Sequence, residues 1–469
     1  MTDRTPIDVW VADLTFPGYM DRLHALGAEF EKAHPEYEIN IEGRDFRLLS
    51  QQIAEAAEQG RPPAVAEYYF AVTQAARDSR TPEGGPLFTS VQKAIAGRTE
   101  ILGEPVVLDD ILPAVREHYS LDGDLTSMPA VVTAMLVYGN KTVLDRAGVG
   151  LPSTWGEIET VCQAVAALED GPSHGVTWAN HGLFFQQALA AQGGELADNG
   201  NGRTGRATRL DLASKEMLTW VEWWQRLHRE GHCLYTGKIP DWEGNIKAFA
   251  DQDVALRITS SNDLNYMEMA AGNAGFELTV GRFPQPDGDA AGGNIIAGTS
   301  LWLADGLDQV TQDGALAFMQ FLNNPRNAAD RHIASSFVPV TRSSYRLLEE
   351  EGWFDAHPFH RLASRQLGSY PQGGKEGVPP CRGALFGDFA GAQDVMTRAM
   401  DDVLSRSAVP AERFAEATAE AQSLLDAYEK DRLDNGVRNA ESLRVEYFRD
   451  AEAYTGAQLE DAVKGTPKK

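Results

Sequence analysis

The chain has 469 residues, more than a single typical domain, which favours two lobes or two domains. Its 42 Lys and Arg residues against 68 Asp and Glu residues give a formal net charge of −26, which argues against nucleic-acid or anionic-membrane binding. Hydrophobic residues make up 43% of the chain, but no run approaches the ~18 consecutive apolar residues of a membrane-spanning helix.

No catalytic or metal signature stands out. The chain lacks HExxH, GxSxG, a P-loop and a CxxC pair. Cys162, Cys233 and Cys381 lie far apart, so we predict buried free thiols and at most one disulfide. The histidines show no spacing to acidic partners that is typical of a metal site: His181, His232, His332, His357 and His360. We therefore expect no enzyme activity, no metal and no cofactor.

The N-terminal ten residues carry Asp3, Arg4 and Asp8 and lack the apolar core of a signal peptide. Two explanations remain open: an export signal has been removed from this chain, or the protein acts inside the cell. We expect the first.

The chain opens with alternating strands and helices. Residues 7–12 alternate as a strand, and an apolar stripe between Leu23 and Ala33 predicts a helix. Residues 37–41 and 48–57 repeat the pattern as strand and helix. This order is typical of a parallel, doubly wound sheet.

The central stretch, residues 125–158, predicts a strand, a short helix, a turn and a second helix. Residues 128–138 are almost continuously apolar, which indicates a strand buried on both faces. Asn140 stands at a helix N-cap position, and Gly148 ends that helix. Thr154 caps the next helix.

The same stretch resembles a known family. Its matching residues are Pro129, Tyr138-x-Asn140-Lys141, Ala147-Gly148 and Pro152-Ser153-Thr154-Trp155. They are similar to the signature of family 1 extracellular solute-binding proteins, the ligand-capturing subunits of ABC importers. The order of segments over residues 7–425 is most similar to the glycerol-3-phosphate-binding branch.

The resemblance implies a two-lobed α/β fold of the type II periplasmic-binding-protein kind, each lobe a doubly wound sheet with flanking helices. The ligand is expected in the cleft between the lobes. Residues 1–118 plus 262–326 are expected to form the N-terminal lobe, and 119–261 plus 327–430 the C-terminal lobe. Residues 431–469 form a charged extension with no assigned role.

The resemblance also implies the ligand-binding positions. A serine at the hinge crossing matches Ser260 or Ser261, and a glycine that admits ligand to the backbone matches Gly298. An aromatic contact near the start of one helix matches Trp178, Phe184 or Phe185. The full predicted set is Phe46, Tyr69, Phe70, Thr133, Trp178, Phe184, Ser260, Ser261, Gly298, Phe337 and Gln393.

Four of these positions depart from the glycerol-3-phosphate branch. Phe46 and Phe337 stand where tyrosines are expected, Phe70 where an acid is expected, and Gln393 where an arginine holds phosphate. Glutamine cannot form the charged fork of arginine, and losing it costs ~1.5–3 kcal/mol. We therefore predict a neutral, more apolar pocket for an uncharged sugar or glycoside rather than free glycerol-3-phosphate.

Several aromatic and glycine-rich segments have a purely structural explanation as well as a ligand-binding one. The aromatic residues 68–70 suit core packing as well as ligand contact. Trp220, Trp223 and Trp224 lie on a helix with core spacing, so we favour packing over a sugar platform. Residues 199–205 have GxGxxG spacing but follow a helix, and we interpret them as a turn rather than a dinucleotide site.

Taken together, these features predict a monomeric, extracytoplasmic substrate-binding subunit that delivers a small neutral solute to ABC permease subunits and binds no nucleic acid. The alternative keeps the fold but makes the chain a cytoplasmic sequestering, sensing or biosynthetic protein.

Overall fold

The computed structural model describes residues 4–14, 18–288, 292–367, 383–437, 443 and 456–465. Within them the strands are β1 (Thr5–Asp13), β2 (Tyr37–Asp45), β3 (Val65–Tyr69), β4 (Phe88–Thr89), β5 (Glu100–Ile101), β6 (Glu104–Pro105), β7 (Ser120–Leu121), β8 (Asp124–Leu125), β9 (Met128–Thr133), β10 (Met135–Asn140), β11 (His174–Thr177), β12 (Cys233–Leu234), β13 (Val254–Ser260), β14 (Leu278–Arg282) and β15 (Ala297–Ala304).

The helices in the same residues are α1 (Tyr19–Ala33), α2 (Leu49–Glu58), α3 (Thr73–Asp78), α4 (Val91–Ile95), α5 (Pro113–Tyr119), α6 (Lys141–Ala147), α7 (Trp155–Ala166), α8 (Gly182–Ala191), α9 (Asp198–Gly202), α10 (Lys215–Arg229), α11 (Trp242–Ala250), α12 (Leu264–Ala274), α13 (Gln309–Leu322), α14 (Pro325–Ser335), α15 (Arg342–Glu350), α16 (Trp353–Ala356), α17 (His360–Gln366), α18 (Phe389–Ser405), α19 (Pro410–Asn435) and α20 (Gly456–Ala462). Short 3₁₀ turns lie at Phe70–Val72, Leu108–Asp110 and Ser261–Asp263.

The first sheet has the strand order β2-β1-β3-β15-β4, with β9 also paired to β15. Strand β1 runs parallel to both β2 and β3, as the opening strand–helix alternation predicted. Strand β15 is antiparallel to β3 and β9. This antiparallel pairing puts the beginning of β15 beside the end of β3, which matters for the site described below.

The second sheet has the order β12-β11-β13-β10-β14. Strand β11 is parallel to β12 and β13, whereas β10 is antiparallel to β13 and β14. Helices α7 and α8 and the long C-terminal helices α18 and α19 pack on or near this sheet. The two sheets are the centres of the two lobes.

The apolar run at residues 128–138 forms two strands instead of the single one predicted. It breaks after Thr133, and Ala134 joins β9 of the first sheet to β10 of the second. Every residue of both strands is buried. A continuous apolar pattern predicts burial correctly, but it carries no mark of the point where the chain passes from one sheet to the other.

The sheet pairings divide the chain differently from the expected lobe boundaries. Strand β9, expected in the C-terminal lobe, pairs with β15 in the first sheet. Strand β14, expected in the N-terminal lobe, pairs with β10 in the second sheet. The chain therefore returns to the first sheet between β14 and β15 rather than directly after β13.

Local capping signals agree with the sequence. The Asn140 side chain accepts a hydrogen bond from the Val143 backbone N–H at 3.1 Å, and Gly148 ends α6 in a left-handed conformation. The Thr154 hydroxyl accepts from the Glu157 N–H at 3.2 Å. These bonds satisfy backbone donors that a helix start leaves unpaired, and so they set where α6 and α7 begin.

Cys162 and Cys233 are buried free thiols, as predicted, whereas Cys381 lies outside the described residues. Across the described part of the chain, no helix combines the length and the apolar character needed to cross a membrane.

Candidate functional site

A pocket lies where the chain passes between the two sheets. Strand β3 ends there at Tyr69, β9 at Thr133 and β13 at Ser260, and β15 begins there. Thr299 of β15 is paired with Tyr69, and Met135 of β10 with Ser260. Strand ends of α/β sheets are the usual place for ligands, because loops and backbone groups there are free to face outward.

The pocket offers about 130 Å³ to the centres of water-sized molecules. This is several times the ~10–15 Å³ that one buried water requires, so the space suits a small solute. Its lining residues are Leu14, Phe46, Tyr69, Val131, Thr133, His181, Leu183, Trp242, Ile246, Ser260, Asn262, Asp263, Ala297, Gly298, Thr299, Phe337 and Leu459.

Aromatic rings from both sides form much of the wall. Phe46 and Tyr69 meet edge to face with ring centres 6.1 Å apart on the side of the first sheet. On the side of the second sheet, the rings of His181 and Trp242 lie with their centres 5.0 Å apart. Apolar faces combined with a few fixed polar groups are the common composition of small-molecule sites.

A hydroxyl and amide network occupies the crossing between the sheets. The Thr133 and Ser261 hydroxyls lie 2.9 Å apart, and Thr133 donates to the Asn262 side-chain oxygen at 3.0 Å. Ser260 also donates to that oxygen. The Tyr138 hydroxyl donates to the Ser260 carbonyl at 3.0 Å. The network holds Thr133, Ser260 and Asn262 in fixed positions on the pocket wall.

A buried carboxylate stands behind Thr299. Glu67 on β3 accepts hydrogen bonds from the Ala12 backbone N–H at 2.7 Å and from the Thr299 hydroxyl. Burial raises the pKa of Glu67, although both hydrogen bonds act in the opposite direction. Because its oxygens are occupied by these donors, Glu67 orients the Thr299 hydroxyl rather than lining the pocket itself.

The pocket wall carries little free charge. Asp263 is the charged member of the lining set, and the buried Arg257 pairs with it at 2.8 Å. The Thr259 hydroxyl also donates to Asp263 at 2.8 Å. Among the described residues that line the pocket, none is Lys or Arg. This wall therefore offers no guanidinium or ammonium group to a phosphate.

His181 contributes a neutral ring to the wall. Burial lowers its pKa to about 3, so the imidazole is uncharged at neutral pH. Its Nδ1 accepts a hydrogen bond from the Leu183 backbone N–H at 3.0 Å, which caps α8. The proton of the neutral ring then sits on Nε2.

The structure brings six of the predicted site residues to this pocket: Phe46, Tyr69, Thr133, Ser260, Gly298 and Phe337. Gly298 has φ of 144°, and a Cβ atom there would meet the Val131 carbonyl oxygen at 1.9 Å. Only glycine allows β15 to approach β9 this closely at the pocket.

The other five predicted residues lie outside the pocket wall. Phe70 packs in the core against Tyr69 and Phe389, with ring centres 4.5 and 6.2 Å away. Trp178 stacks on Trp223 inside a cluster of tryptophans. The remaining three are also buried and absent from the lining set: Phe184, Ser261 and Gln393.

Gln393 and Ser261 differ in how they are buried. Ser261 supports the wall through its bonds to Thr133 and to the Ala134 backbone N–H, the latter at 3.3 Å. Gln393 packs against Gly182, and its amide atoms have no hydrogen-bond partner among the described residues. The expected phosphate position is thus a buried neutral amide beside the start of α8.

Sequence reasoning missed Trp242, His181 and Leu459. Trp242 begins α11, and a single tryptophan at a helix start gives no sign of facing a cleft. Leu459 belongs to α20 in the C-terminal extension, to which no role was assigned. This helix packs on α11, and Leu459 reaches the pocket from there. Thr299 and Asn262 adjoin predicted residues and could have been found through them.

The C-terminal extension also contacts the first lobe. The Ser50 hydroxyl on α2 donates to the Leu443 carbonyl, and the Leu443 side chain is buried. At the other end, Asn273 on α12 donates to the Val463 carbonyl at 3.1 Å. The described parts of the extension therefore pack on both sides of the pocket.

Comparison with known proteins gives a consistent result. Residues 25–358 match the family model described as bacterial extracellular solute-binding protein. The sn-glycerol-3-phosphate-binding periplasmic protein UgpB of Salmonella typhimurium is 26% identical over 424 residues, covering 87% of this chain and 90% of that protein. UgpB of Escherichia coli K12 is 26% identical over 421 residues, covering 87% and 90%.

Solved structures with the same fold include the following two. UgpB from Mycobacterium tuberculosis in complex with glycerophosphocholine has a TM-score of 0.70 at 19% identity, covering 90% of this chain and 98% of that one. The GacH receptor of Streptomyces glaucescens, solved unliganded and with acarbose, has a TM-score of 0.68 at 17% identity, covering 91% and 100%. These likenesses confirm the predicted two-lobed fold of the type II kind.

Proposed function

Because the chain belongs to the bacterial extracellular solute-binding protein family, we propose that it captures an uncharged carbohydrate-like solute or glycoside for an ABC importer. The site predicted for this role is the pocket between the lobes, and free glycerol-3-phosphate is not the preferred ligand. Permease subunits are the proposed partners, and the chain acts outside the cytoplasm as a monomer.

The composition of the pocket wall carries this proposal. Phe46, Tyr69 and Trp242 offer ring faces, which suit the apolar faces of sugar rings. Thr133 and Ser260 add hydroxyl groups to the same wall. The charge of Asp263 is compensated by Arg257, and the described wall has no cation for a phosphate.

The relatives are named for different ligands, so their names do not decide the choice. UgpB is named for glycerol-3-phosphate, and one UgpB structure holds glycerophosphocholine, whereas GacH was solved with acarbose. They are named as binding proteins or a receptor, which supports binding rather than catalysis. A cytoplasmic role finds no support in these comparisons.

A calorimetric and thermal-shift screen of the purified chain tests the ligand class. The panel contains maltose, maltotriose, methyl glucosides, glycerol-3-phosphate and glycerophosphocholine. A ligand present at a hundred times its dissociation constant adds ~2.7 kcal/mol of stability, which is readily detected as a raised melting temperature. We expect at least one neutral sugar or glycoside to bind and glycerol-3-phosphate to be silent. Preferential binding of glycerol-3-phosphate would overturn the proposal.

A pair of tryptophan variants then locates the binding site. Trp242→Ala is expected to weaken binding of the neutral ligand by ~10-fold or more, because a tryptophan contact commonly carries over 1 kcal/mol. Trp10→Ala is the matched control. Trp10 on β1 is also half-buried, but its ring lies under the Arg44 guanidinium and does not line the pocket. Equal loss in both variants would show that the pocket is not the binding site.

A further inference from the structure

Three potential metal ligands from separate elements meet away from the pocket. Glu268 lies on α12, His357 directly follows α16 and His360 begins α17. One ligand atom from each lies within 4.8 Å of the others. In the sequence Glu268 is far from the two histidines, which is why no ligand spacing was visible.

One pair of these ligand atoms is close to the spacing found in a metal site. His360 Nε2 and Glu268 Oε2 are 3.7 Å apart. Bonds of ~2.0–2.1 Å to a tetrahedral ion place neighbouring ligand atoms ~3.3 Å apart. The Glu268 carboxylate needs to move by only a few tenths of an ångström to share an ion with His360.

His360 is buried without the hydrogen bonds that a buried imidazole requires. Its side chain is 1% exposed, and neither ring nitrogen has a hydrogen-bond partner among the described residues. A buried polar ring left unpaired costs free energy, and most buried polar groups avoid this. A metal ion bound at one nitrogen would satisfy that atom.

The surroundings hold the other histidines in place. Trp353 stacks on His357 with ring centres 3.8 Å apart, which limits the rotation of that imidazole. His332 packs edge to face against His360 at 5.2 Å, and its Nδ1 donates to the Phe337 carbonyl at 2.7 Å. His332 Nε2 is consequently an unprotonated, buried nitrogen with no partner in the described chain.

We propose that Glu268, His357 and His360 bind a divalent transition-metal ion of the Zn²⁺ class. Two imidazoles and one carboxylate are a ligand set that Zn²⁺ accepts, with a fourth position for water. Ca²⁺ and Mg²⁺ prefer ligand sets built from oxygen atoms and are not expected to bind well.

The site also joins parts of the two lobes. Glu268 comes from α12, which packs on α11 and β14 of the second lobe. His357 follows α14–α16, and α14 packs on α1 and α13 of the first lobe. A bound ion would link these helices, so Zn²⁺ is expected to raise the unfolding temperature of the whole chain.

Metal competition measures the site directly. Untagged protein is first cleared with a chelator and then titrated with Zn²⁺ against a chromophoric zinc indicator. We expect one tight Zn²⁺ per chain, and at least tenfold weaker binding in both Glu268→Gln and His357→Gln. The absence of stoichiometric uptake, or equal affinity in wild type and both variants, would overturn the proposal.

The matched control is Glu230→Gln. His232 Nε2 lies 3.6 Å from Glu230 Oε2, the same kind of pair as His360 and Glu268 but without a third ligand among the described residues. This variant is expected to bind Zn²⁺ like the wild type. Unfolding temperatures in chelator check that each variant is folded before metal is added.

Anomalous diffraction at the zinc edge gives a second, independent readout. Crystals grown with Zn²⁺ should show one strong peak between Glu268, His357 and His360. A peak elsewhere, with none at these residues, would overturn the assignment even if the affinity changes were as expected.

Discussion

Two groups of aromatic side chains in this protein are alike in residue type, but one is enclosed by protein and the other borders a pocket. The tryptophan cluster consists of Trp155, Trp178, Trp220, Trp223 and Trp224, all buried. Trp178 and Trp223 stack at 5.7 Å with planes only 5° apart. The pocket rings are Phe46, Tyr69, Trp242 and Phe337, and they border open volume.

The two groups differ in what covers the surface of their rings. In the tryptophan cluster each ring is covered by other rings, so the apolar surface is already buried by the fold. In the pocket Phe46, Tyr69 and Trp242 keep part of their surface exposed. That remaining surface can be buried by a ligand, which gives the pocket rings their binding potential.

The largest expected effect comes from breaking the tryptophan cluster. Trp220 contacts Trp155, Trp178 and Trp223, with ring centres 5.2–5.4 Å away. Trp220→Ala should lower the free energy of unfolding by ~3–5 kcal/mol, because it leaves a large cavity. Urea unfolding followed by circular dichroism measures this loss. If Trp242→Ala proved equally destabilising, the distinction between the two groups would fail.

A smaller loss of stability is expected from a substitution at Gly298 on β15. Gly298→Ala forces a side chain into a conformation that costs roughly 1–3 kcal/mol, and its Cβ would also strike the Val131 carbonyl. We expect reduced stability together with weaker ligand binding, measured by urea unfolding and calorimetry. Gly306→Ala is the control, since Gly306 also has positive φ but has no neighbour within 4 Å of such a Cβ. Equal effects would argue against close approach of the strands.

The buried His181 beside Trp242 predicts a pH effect. Its pKa in the folded chain is about 3, whereas an unfolded histidine titrates near 6.5. As the pH falls below ~6.5 only the unfolded state gains this proton, so stability drops by ~1.4 kcal/mol per pH unit until about pH 3.

His181→Asn removes this proton uptake and keeps an N-cap acceptor for α8. Between pH 7 and pH 5 it should therefore lose ~2 kcal/mol less stability than the wild type. Burial also lowers the pKa of His332 to about 3, so part of the pH dependence remains in the variant. Urea unfolding at the two pH values provides the measurement, and parallel losses would contradict a buried neutral His181.

The smallest effect is spectroscopic. Addition of a neutral ligand identified in the screen should change the tryptophan emission, because Trp242 borders the pocket. Trp242→Phe should abolish most of this change, whereas Trp220→Phe should retain it. A change that survives in Trp242→Phe but is lost in Trp220→Phe would reverse the roles assigned to the two groups.

Much of the fold could be predicted because its signals are local. The alternation of β1, α1, β2 and α2 follows from apolar periodicity, and Asn140 and Thr154 mark helix starts through side-chain caps. The sequence predicts that Gly298 lets a ligand approach the backbone, whereas the structure shows that glycine there lets β15 approach β9. The buried free thiols Cys162 and Cys233 also agree with their predicted state.

The candidate site was only partly predictable. Phe46, Tyr69, Thr133, Ser260, Gly298 and Phe337 line the pocket. Phe70 and Trp178 have the same residue types but lie in the core, because their neighbours in space are Phe389 and Trp223. Residue type and spacing indicate that a ring is buried, but they do not tell whether protein or ligand covers it.

By itself, the sequence determined the order of strands and helices, the helix caps and the solute-binding family, because each depends on residues close along the chain. Tertiary structure decided where the apolar run crosses between sheets, which rings face the cleft and how Glu268 meets His357 and His360. It also brought Leu459 of the C-terminal extension to the pocket. These outcomes depend on contacts between distant segments, which leave no regular spacing in the sequence.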